Sequence, residues 1–515
     1  METVSENRNT EAAWTYHNAT KHTWQSIHTS NHSLDWNNQP SPFKIYPGLE
    51  GRRLPTDLVS SEMRGLEALG TSPVAGTAPD LRQLAGVLYY SAGITKRGIV
   101  PGGQIYFRAA ACTGALYHIE LYLVCGGLPE LEDGVYHFGP HDFSLRQLRS
   151  GDYRRMVVEA SGDEPSLAEA PAILITTSVY WRNAWKYQSR AYRHSFWDSG
   201  TLLANTLAIG QAYDMPMKIV SAFADDPVNN LLGLDTTKEA ALHLVSVGSG
   251  SAIPPDCPEL TPLDLEVAPY SPREIEYPQI LEAHKSAILA SGDEARNLRE
   301  APPPEVEING TGNVLPLDPL PPDEFPEEAI EPLIVRRGSS RRFRREAITF
   351  SQLSTILNAG LGDITTDFPG IPGAGLTQGY LICNNVIGLE AGSYALNSSH
   401  YALEQLKTGA FRQEAGYLGL QQELPADASV NVYLMADLAA VLERYGNRGY
   451  RMAQTEAAIR AGRMYLAAYA LRLGASGLTF FDDDVIEFFS PHAAGKSVMF
   501  LIALGRPRPR RRQGG

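Results

Sequence analysis

Four short segments recur in this chain at a single spacing, and that spacing restricts the fold to one built from two copies of a large unit. Tyr122-Leu-Val-Cys125 returns as Tyr380-Leu-Ile-Cys383, and Gly134-Val-Tyr136 returns as Gly392-Ser-Tyr394, in each case 258 residues later. Leu145, Leu148 and Gly151 return as Leu403, Leu406 and Gly409, and Lys186-Tyr-Gln-Ser-Arg-Ala-Tyr-Arg193 returns as Arg444-Tyr-Gly-Asn-Arg-Gly-Tyr-Arg451, again at 258. Chance matches scatter their offsets, so a constant offset reads as duplication. The repeated unit is far longer than the ~20–45 residues of a solenoid repeat, which makes the copies whole domains.

Each copy reads as mixed strand and helix. An apolar strand (Leu116 to Val124; Gly379 to Cys383) leads to a Gly-x-Tyr strand, then to a further strand (Ala172 to Thr177; Val430 to Met435). A helical pattern follows, Gly200 to Tyr213 in the first copy and Gln454 to Leu473 in the second, the latter with Gly474 as its expected stop. Each copy closes on an apolar strand, Leu242 to Gly248 or Val498 to Gly505. The expected class is α+β. Between the copies, residues 251–333 hold 16 of the chain's 35 prolines. They are expected to form a long connector with one helix, Pro278 to Leu289. The expected organisation is an N-terminal extension over 1–80, a first domain over 81–250, the connector over 251–333, a second domain over 334–508 and a basic tail over 509–515.

Composition narrows the partners. A net charge of −14 argues against non-specific nucleic-acid binding and requires a local cation cluster for any bound phosphate. The four cysteines form no C-x-x-C pair, the polar N-terminus lacks the apolar core of a signal peptide, and no apolar run is long enough to span a bilayer. The expectation is a cytoplasmic protein in a reducing compartment, with no membrane, nucleic-acid or metal association. His17, His22, His28 and His32 lack metal-ligand spacing and read as surface or turn residues, and Asp482-Asp-Asp484 reads as an exposed acidic turn.

The required cation cluster opens the second copy: Arg336, Arg337, Arg341 and Arg342 with Ser339, Ser340 and Phe343. Arginine forks and serine hydroxyls suit a phosphate, although a solvated basic turn has the same composition. The pattern Arg337-x-Ser339-x-Arg341-x-Phe343 resembles the N-terminal signature of nitroreductase-family flavoproteins, which implies a grip on the phosphate and ribityl chain of flavin mononucleotide (FMN). Arg108-Ala-Ala-Ala-Cys-Thr-Gly-Ala-Leu-Tyr117 resembles the R-x-x-P-S-x-G-A-L-Y segment of the SagB/ThcOx group of azoline dehydrogenases. Trp185-Lys186-Tyr187 with Arg190, Tyr192 and Arg193 resembles that group's W-K-Y-x-x-R-x-Y-R motif, and Tyr16-His17-x-x-Thr20-Lys21 its opening. The resemblance implies two tandem nitroreductase-like domains forming an intramolecular pseudo-dimer, because the family's flavins lie in a dimer interface.

Comparing the copies then predicts one flavin. The first site takes Arg337, Ser339 and Arg341, the segment Gly477-Leu478-Thr479, and Arg506 or Arg508 from the second copy. The first copy adds Arg108, Cys112, Gly114, Lys186 and Tyr187. Cys112 stands where the family has serine and is the weaker partner. The reverse site lacks the arginine signature, has Thr366 for Arg108 and Arg444 for Lys186, and is expected to have decayed.

Because arginine does not lose its proton, Lys186 is the position whose chemistry the decayed copy has lost. The motif residues shared by both copies, Tyr187, Arg190, Tyr192 and Arg193, are expected to be largely structural. The resemblance implies FMN-dependent oxidation of a peptide azoline to an azole, with Lys186 and Tyr187 as the catalytic pair. A lysine pKa near 10.4 must fall by about 3, or about 4 kcal/mol, for half the side chains to be neutral at pH 7. Arg108, Arg182, Arg190 and Arg193 are the expected neighbouring cations. The implied partners are an azoline-bearing peptide and a cyclodehydratase complex. An NAD(P)H-dependent reductase and a non-catalytic partner of such a complex are the alternatives.

Overall fold

The computed structural model describes residues 6–70, 73, 76–100, 103–304, 314–368, 375–397 and 401–508. The tail 509–515, and most of the Thr366–Gly375 segment compared above, lie outside the described residues.

Two antiparallel sheets are built to one plan. The first runs in the order Arg52–Arg53, Ser144–Ser150, Gly134–Gly139, Ile119–Cys125, Ala172–Val179, Glu239–Val247, Ile219–Val220. The second runs Val314–Pro316, Ala402–Thr408, Gly392–Asn397, Gln378–Cys383, Val430–Ala436, Ser497–Pro507, Phe343–Arg344, with Gly474–Leu478 also paired to Ser497–Pro507. The repeat extends to register. Tyr122 pairs with Ile175 and Tyr380 with Tyr433, each partner displaced by the sequence offset. Bulges recur likewise, between Val135/Tyr136 and Ser393/Tyr394 and between Thr176/Thr177 and Leu434/Met435.

A long helix follows the Ala172–Val179 and Val430–Ala436 strands in each half: Ala191–Ala212 and Asn447–Ala470. Both begin earlier than the apolar periodicity predicts, because their first turns bury arginines. The two helices pack on each other at small residues. A Cβ on Gly200 would lie 2.5 Å from Ala458, and one on Gly462 would lie 2.5 Å from Ala204. These facing pairs are themselves equivalent positions of the repeat. Gly474 does not stop the second helix; it begins the strand Gly474–Leu478, and the helix closes through Arg472 at φ 57°.

The buried arginines explain the repeated Arg-x-x-Arg. Arg193 and Arg190 of the first half reach Asp482 of the second at 2.7 and 3.0 Å, while Arg448 and Arg451 of the second reach Asp225 of the first at 2.8 and 3.1 Å. Each acid opens a helix, Asp482–Phe489 or Asp225–Leu232. Asp482 is thus a buried anion and not part of an exposed turn, and His17, also read as a surface residue, is buried against Tyr450.

Where one helix was expected, the described residues of the connector include Pro278–Lys285 and Gly292–Arg299, and a further helix, Ile330–Arg336, begins at its end. Ser291 caps the second by accepting the Glu294 N–H. The connector then threads between the halves: Arg448 donates to the Ala287 carbonyl and Asn447 to that of Ser286. No helix among the described residues is long and apolar enough to cross a membrane.

Candidate functional site

Lys186 and Tyr187 from the first half and Arg337, Ser339 and Arg341 from the second line one cavity of about 1540 Å³. Arg108, Cys112, Gly114, Gly477, Leu478, Thr479 and Arg508 share its wall. Arg506 does not. It is still within the last strand, opposite Arg344, and its Nε donates to the Ala347 carbonyl at 2.9 Å.

Local backbone presents the Lys-Tyr pair. The helix Tyr180–Tyr187 ends because Gln188 takes φ 50°, and one 3₁₀ turn leads into the long helix. The break leaves Lys186 and Tyr187 at a helix end facing the cavity. Lys186 is half-buried, its Nζ 5.4 Å from the centre of the Tyr187 ring, and makes no hydrogen bond or ion pair with a described residue. Burial first, and the Arg341 guanidinium second, pull its pKa below the ordinary lysine value. The four arginines expected to do this are committed elsewhere: Arg182 to Glu120, Arg190 and Arg193 to Asp482, and Arg108 to the Pro42 carbonyl. Burial, reinforced by Asp198 and Cys112, raises the Tyr187 hydroxyl, and its ring packs edge-on to His194.

Asp198, which the sequence reading missed, fixes the turn beneath this pair. It accepts from the Thr113 N–H at 2.9 Å, the Thr113 hydroxyl at 2.7 Å, the Cys112 thiol at 3.0 Å and His118 Nε2 at 2.8 Å. Burial and the adjacent carboxylate push the Cys112 thiol well up, so it serves as a neutral donor. The repeat counterpart of Asp198 is Glu456, which accepts the Leu376 and Thr377 N–H groups and the Thr377 hydroxyl. An acid doing the same work in both halves identifies the Cys112–His118–Asp198 cluster as a loop clamp. The two acids at one repeat offset were the signal that sequence carried.

The second half supplies the opposite wall. Arg337 donates through Nε and Nη2 to the Ala109 carbonyl at 3.1 and 2.9 Å, tying the halves together at the cavity. Ser339 Oγ lies 3.2 Å from the Tyr465 hydroxyl, which also accepts the Gly477 N–H, so that amide is already engaged. Ser340 Oγ and Thr479 Oγ1 are buried cavity-wall hydroxyls with no described partner. Buried hydroxyls are nearly always satisfied. With Arg341, Arg342 and Arg508 on the same wall, this donor set suits a ligand that carries a phosphate and several hydroxyls.

The reverse site is built differently. Tyr445 is fully buried, Arg444 reaches the Pro302 carbonyl of the connector, and a Cβ on Gly446 would strike the Asn7 carbonyl at 2.2 Å. The counterpart of Leu202 is Arg460, which donates to the Thr377 carbonyl. The chain's own N-terminal segment and connector cover the positions equivalent to Lys186 and Tyr187.

The nitroreductase family profile matches residues 334–506, within the second half. A protein of Methanocaldococcus jannaschii named as a nitroreductase is 27% identical over 169 residues, 33% of this chain and 80% of its own length. A crystal structure from Anabaena variabilis, also named as a nitroreductase, superposes with a TM-score of 0.77 at 27% identity, covering 96% of this chain and 99% of that one. Both halves and the connector therefore share the fold of that chain. A chain of the Escherichia coli microcin synthetase McbBCD complex matches 49% of this chain and 99% of its own at 16% identity, with a TM-score of only 0.30.

Proposed function

We propose that this chain is an FMN-dependent dehydrogenase that oxidises a peptide azoline to an azole, working as an intramolecular pseudo-dimer with one flavin per chain. The observation that carries the reading is the meeting, in one cavity, of a half-buried lysine from the first half, paired with no described residue, with an arginine- and serine-rich segment from the second. Arg341, Arg342 and Arg508 would hold the FMN phosphate, and Ser339, Ser340 and Thr479 the ribityl hydroxyls. The domain limits 81–250 and 334–508 are part of the proposal.

Bound FMN supplies a two-electron acceptor for a hydride from the azoline ring. The chain's own part is proton management. Lys186, its pKa lowered by burial and by Arg341, takes the proton from the ring α-carbon. Tyr187, kept protonated by burial, orients the ring or relays that proton. Loss of one proton and one hydride leaves the aromatic azole.

The test is the visible spectrum of the purified protein with FMN quantified per chain, followed by anaerobic mixing with an azoline peptide or with NADPH. One FMN per chain, bleached by the azoline peptide, is the expected result. Two flavins overturn the single-site reading, and bleaching by NADPH alone makes the protein a nicotinamide-dependent reductase. Colourless protein makes it a non-catalytic partner. Association with a cyclodehydratase complex and a cytoplasmic location belong to the same proposal.

A further inference from the structure

The two halves differ in length where the helix Leu81–Ala92, or its counterpart Phe350–Leu361, connects to the first central strand. In the second half the connection is Gly362–Thr377; in the first it is the longer Gly93–His118. The added residues fold into an antiparallel ribbon, Ile94–Val100 paired with Gly103–Arg108. Its base belongs to the cavity, where Thr95, Lys96, Phe107 and Arg108 line the wall, and its far end leads away to Ile99, which is 91% exposed. Among the described residues no third strand pairs with it, so each strand keeps an outer edge of backbone donors and acceptors.

Exposed edges are normally blunted by charge, and Lys96 and Arg97 fit that role. Two facts take the charges further. Residues 94–108 contain no acid, so the ribbon carries one sign only. The cavity rim repeats that sign in Arg341, Arg342 and Arg508, and none of these five cations forms an ion pair with a described carboxylate, in a chain of net charge −14. One phosphate does not need five cations. The cavity also exceeds the ~300–1,000 Å³ of an ordinary small-molecule site, which leaves room for a second occupant beside a flavin.

We infer that the ribbon and the cationic rim are a docking rail for an acidic, extended peptide segment that adds to the ribbon as a third strand and leads its neighbouring residues into the cavity. The inference rests on the proposed flavin cavity only for what happens at the inner end. Charge complementarity and the ribbon's continuity with the cavity choose this occupant. Main-chain pairing gives the rail affinity without fixing side chains, and the cations select acidic flanks.

The test uses the full chain and a fluorescein-labelled peptide of alternating glutamate and valine, read by anisotropy. A lysine–valine peptide, a glutamate–valine peptide N-methylated at alternate residues, and NADPH serve as comparisons. The acidic peptide is expected to bind, more weakly as salt rises. Lys96→Glu/Arg97→Glu is expected to weaken it about tenfold or more, N-methylation to weaken it similarly, and NADPH to leave it bound. Equal binding of acidic and basic peptides, indifference to the charge reversal or to N-methylation, or displacement by NADPH each overturns the inference. The visible spectrum of the same samples separates the two readings. Yellow protein that ignores the acidic peptide ends this inference alone; colourless protein that binds it ends the flavin reading alone.

Discussion

Arg193 Nη1 and Asp482 Oδ1 meet at 2.7 Å across the two halves of the chain, both essentially sealed from solvent. Removing one member of a buried pair strands the other, at about 3–5 kcal/mol. Asp482→Asn is expected to lose stability on that scale, measured by urea unfolding. The neighbouring arginines hold the Asp482 carboxyl far below the usual aspartate range, against burial. Its stabilisation is therefore complete above the unfolded aspartate pKa of about 4 and is lost as pH falls towards the folded value. The wild type is expected to lose more stability below pH 4 than Asp482→Asn does.

Asp367 is expected to titrate in the opposite sense. Burial lifts its pKa to about 6, although it accepts the Ser221 and Ala222 N–H groups from the other half. A carboxyl raised on folding stabilises most when protonated, so its contribution declines as pH rises from about 4 to about 6. Asp367→Asn is expected to flatten that part of the stability–pH curve. A curve of unchanged shape refutes the assignment.

Lys186→Ala and Lys186→Arg are both expected to retain flavin and to lose about 10²–10⁴-fold in turnover, because neither side chain can take a proton. Arg341→Gln removes a cation that lowers the Lys186 pKa. Its acidic limb of activity is expected to move to higher pH, read at saturating FMN so that weaker cofactor binding does not interfere.

Gly114 sits at φ +63°, and a Cβ there would lie 2.9 Å from the Tyr187 hydroxyl. Gly114→Ala is expected to cost about 1–2 kcal/mol in stability from the left-handed backbone. It is also expected to lower turnover by displacing Tyr187, with flavin content unchanged. Full activity in this variant would remove Tyr187 from the chemistry.

Gln188 holds φ 50°, ψ −141°, and its repeat counterpart Gly446 holds φ 64°, ψ −157°. The copy with glycine shows what the backbone prefers at this break. Gln188→Gly is expected to stabilise the protein by about 1 kcal/mol, measured by denaturant unfolding, because a non-glycine backbone is strained at this positive φ and the exposed side chain offers little packing to lose.

The constant offset from Tyr122 to Tyr380 made it legible that the two halves repeat one plan, and duplication carries backbone geometry along with side chains, which is why register and bulges recur, although the sequence placed neither. The starts of the long helices were placed too late for a physical reason. Amphipathic periodicity marks a helix with one wet face, and Ala191–Ala212 and Asn447–Ala470 are buried nearly all round, arginines included. The same blindness hid Asp482, since an acid's partner lies 289 residues away in Arg193 and composition reports only its charge. The cavity's arginines and serines were readable as a set, but not the division of labour that gives Arg337 to the Ala109 carbonyl and leaves the Ser340 hydroxyl without a described partner. The second connector helix was readable from Ser291 and the acids after it, and was obscured by the prolines on either side.

The covered counterpart at Arg444 and Tyr445 has a further consequence. In an assembly of identical subunits every substitution appears twice, so a change that improves one copy of a site is also forced on the other. Here Asn7 and Pro302 close over one copy while the Gly93–His118 insertion elaborates the other. A single gene carrying both halves frees the covered copy to accumulate changes that two identical copies would have to share.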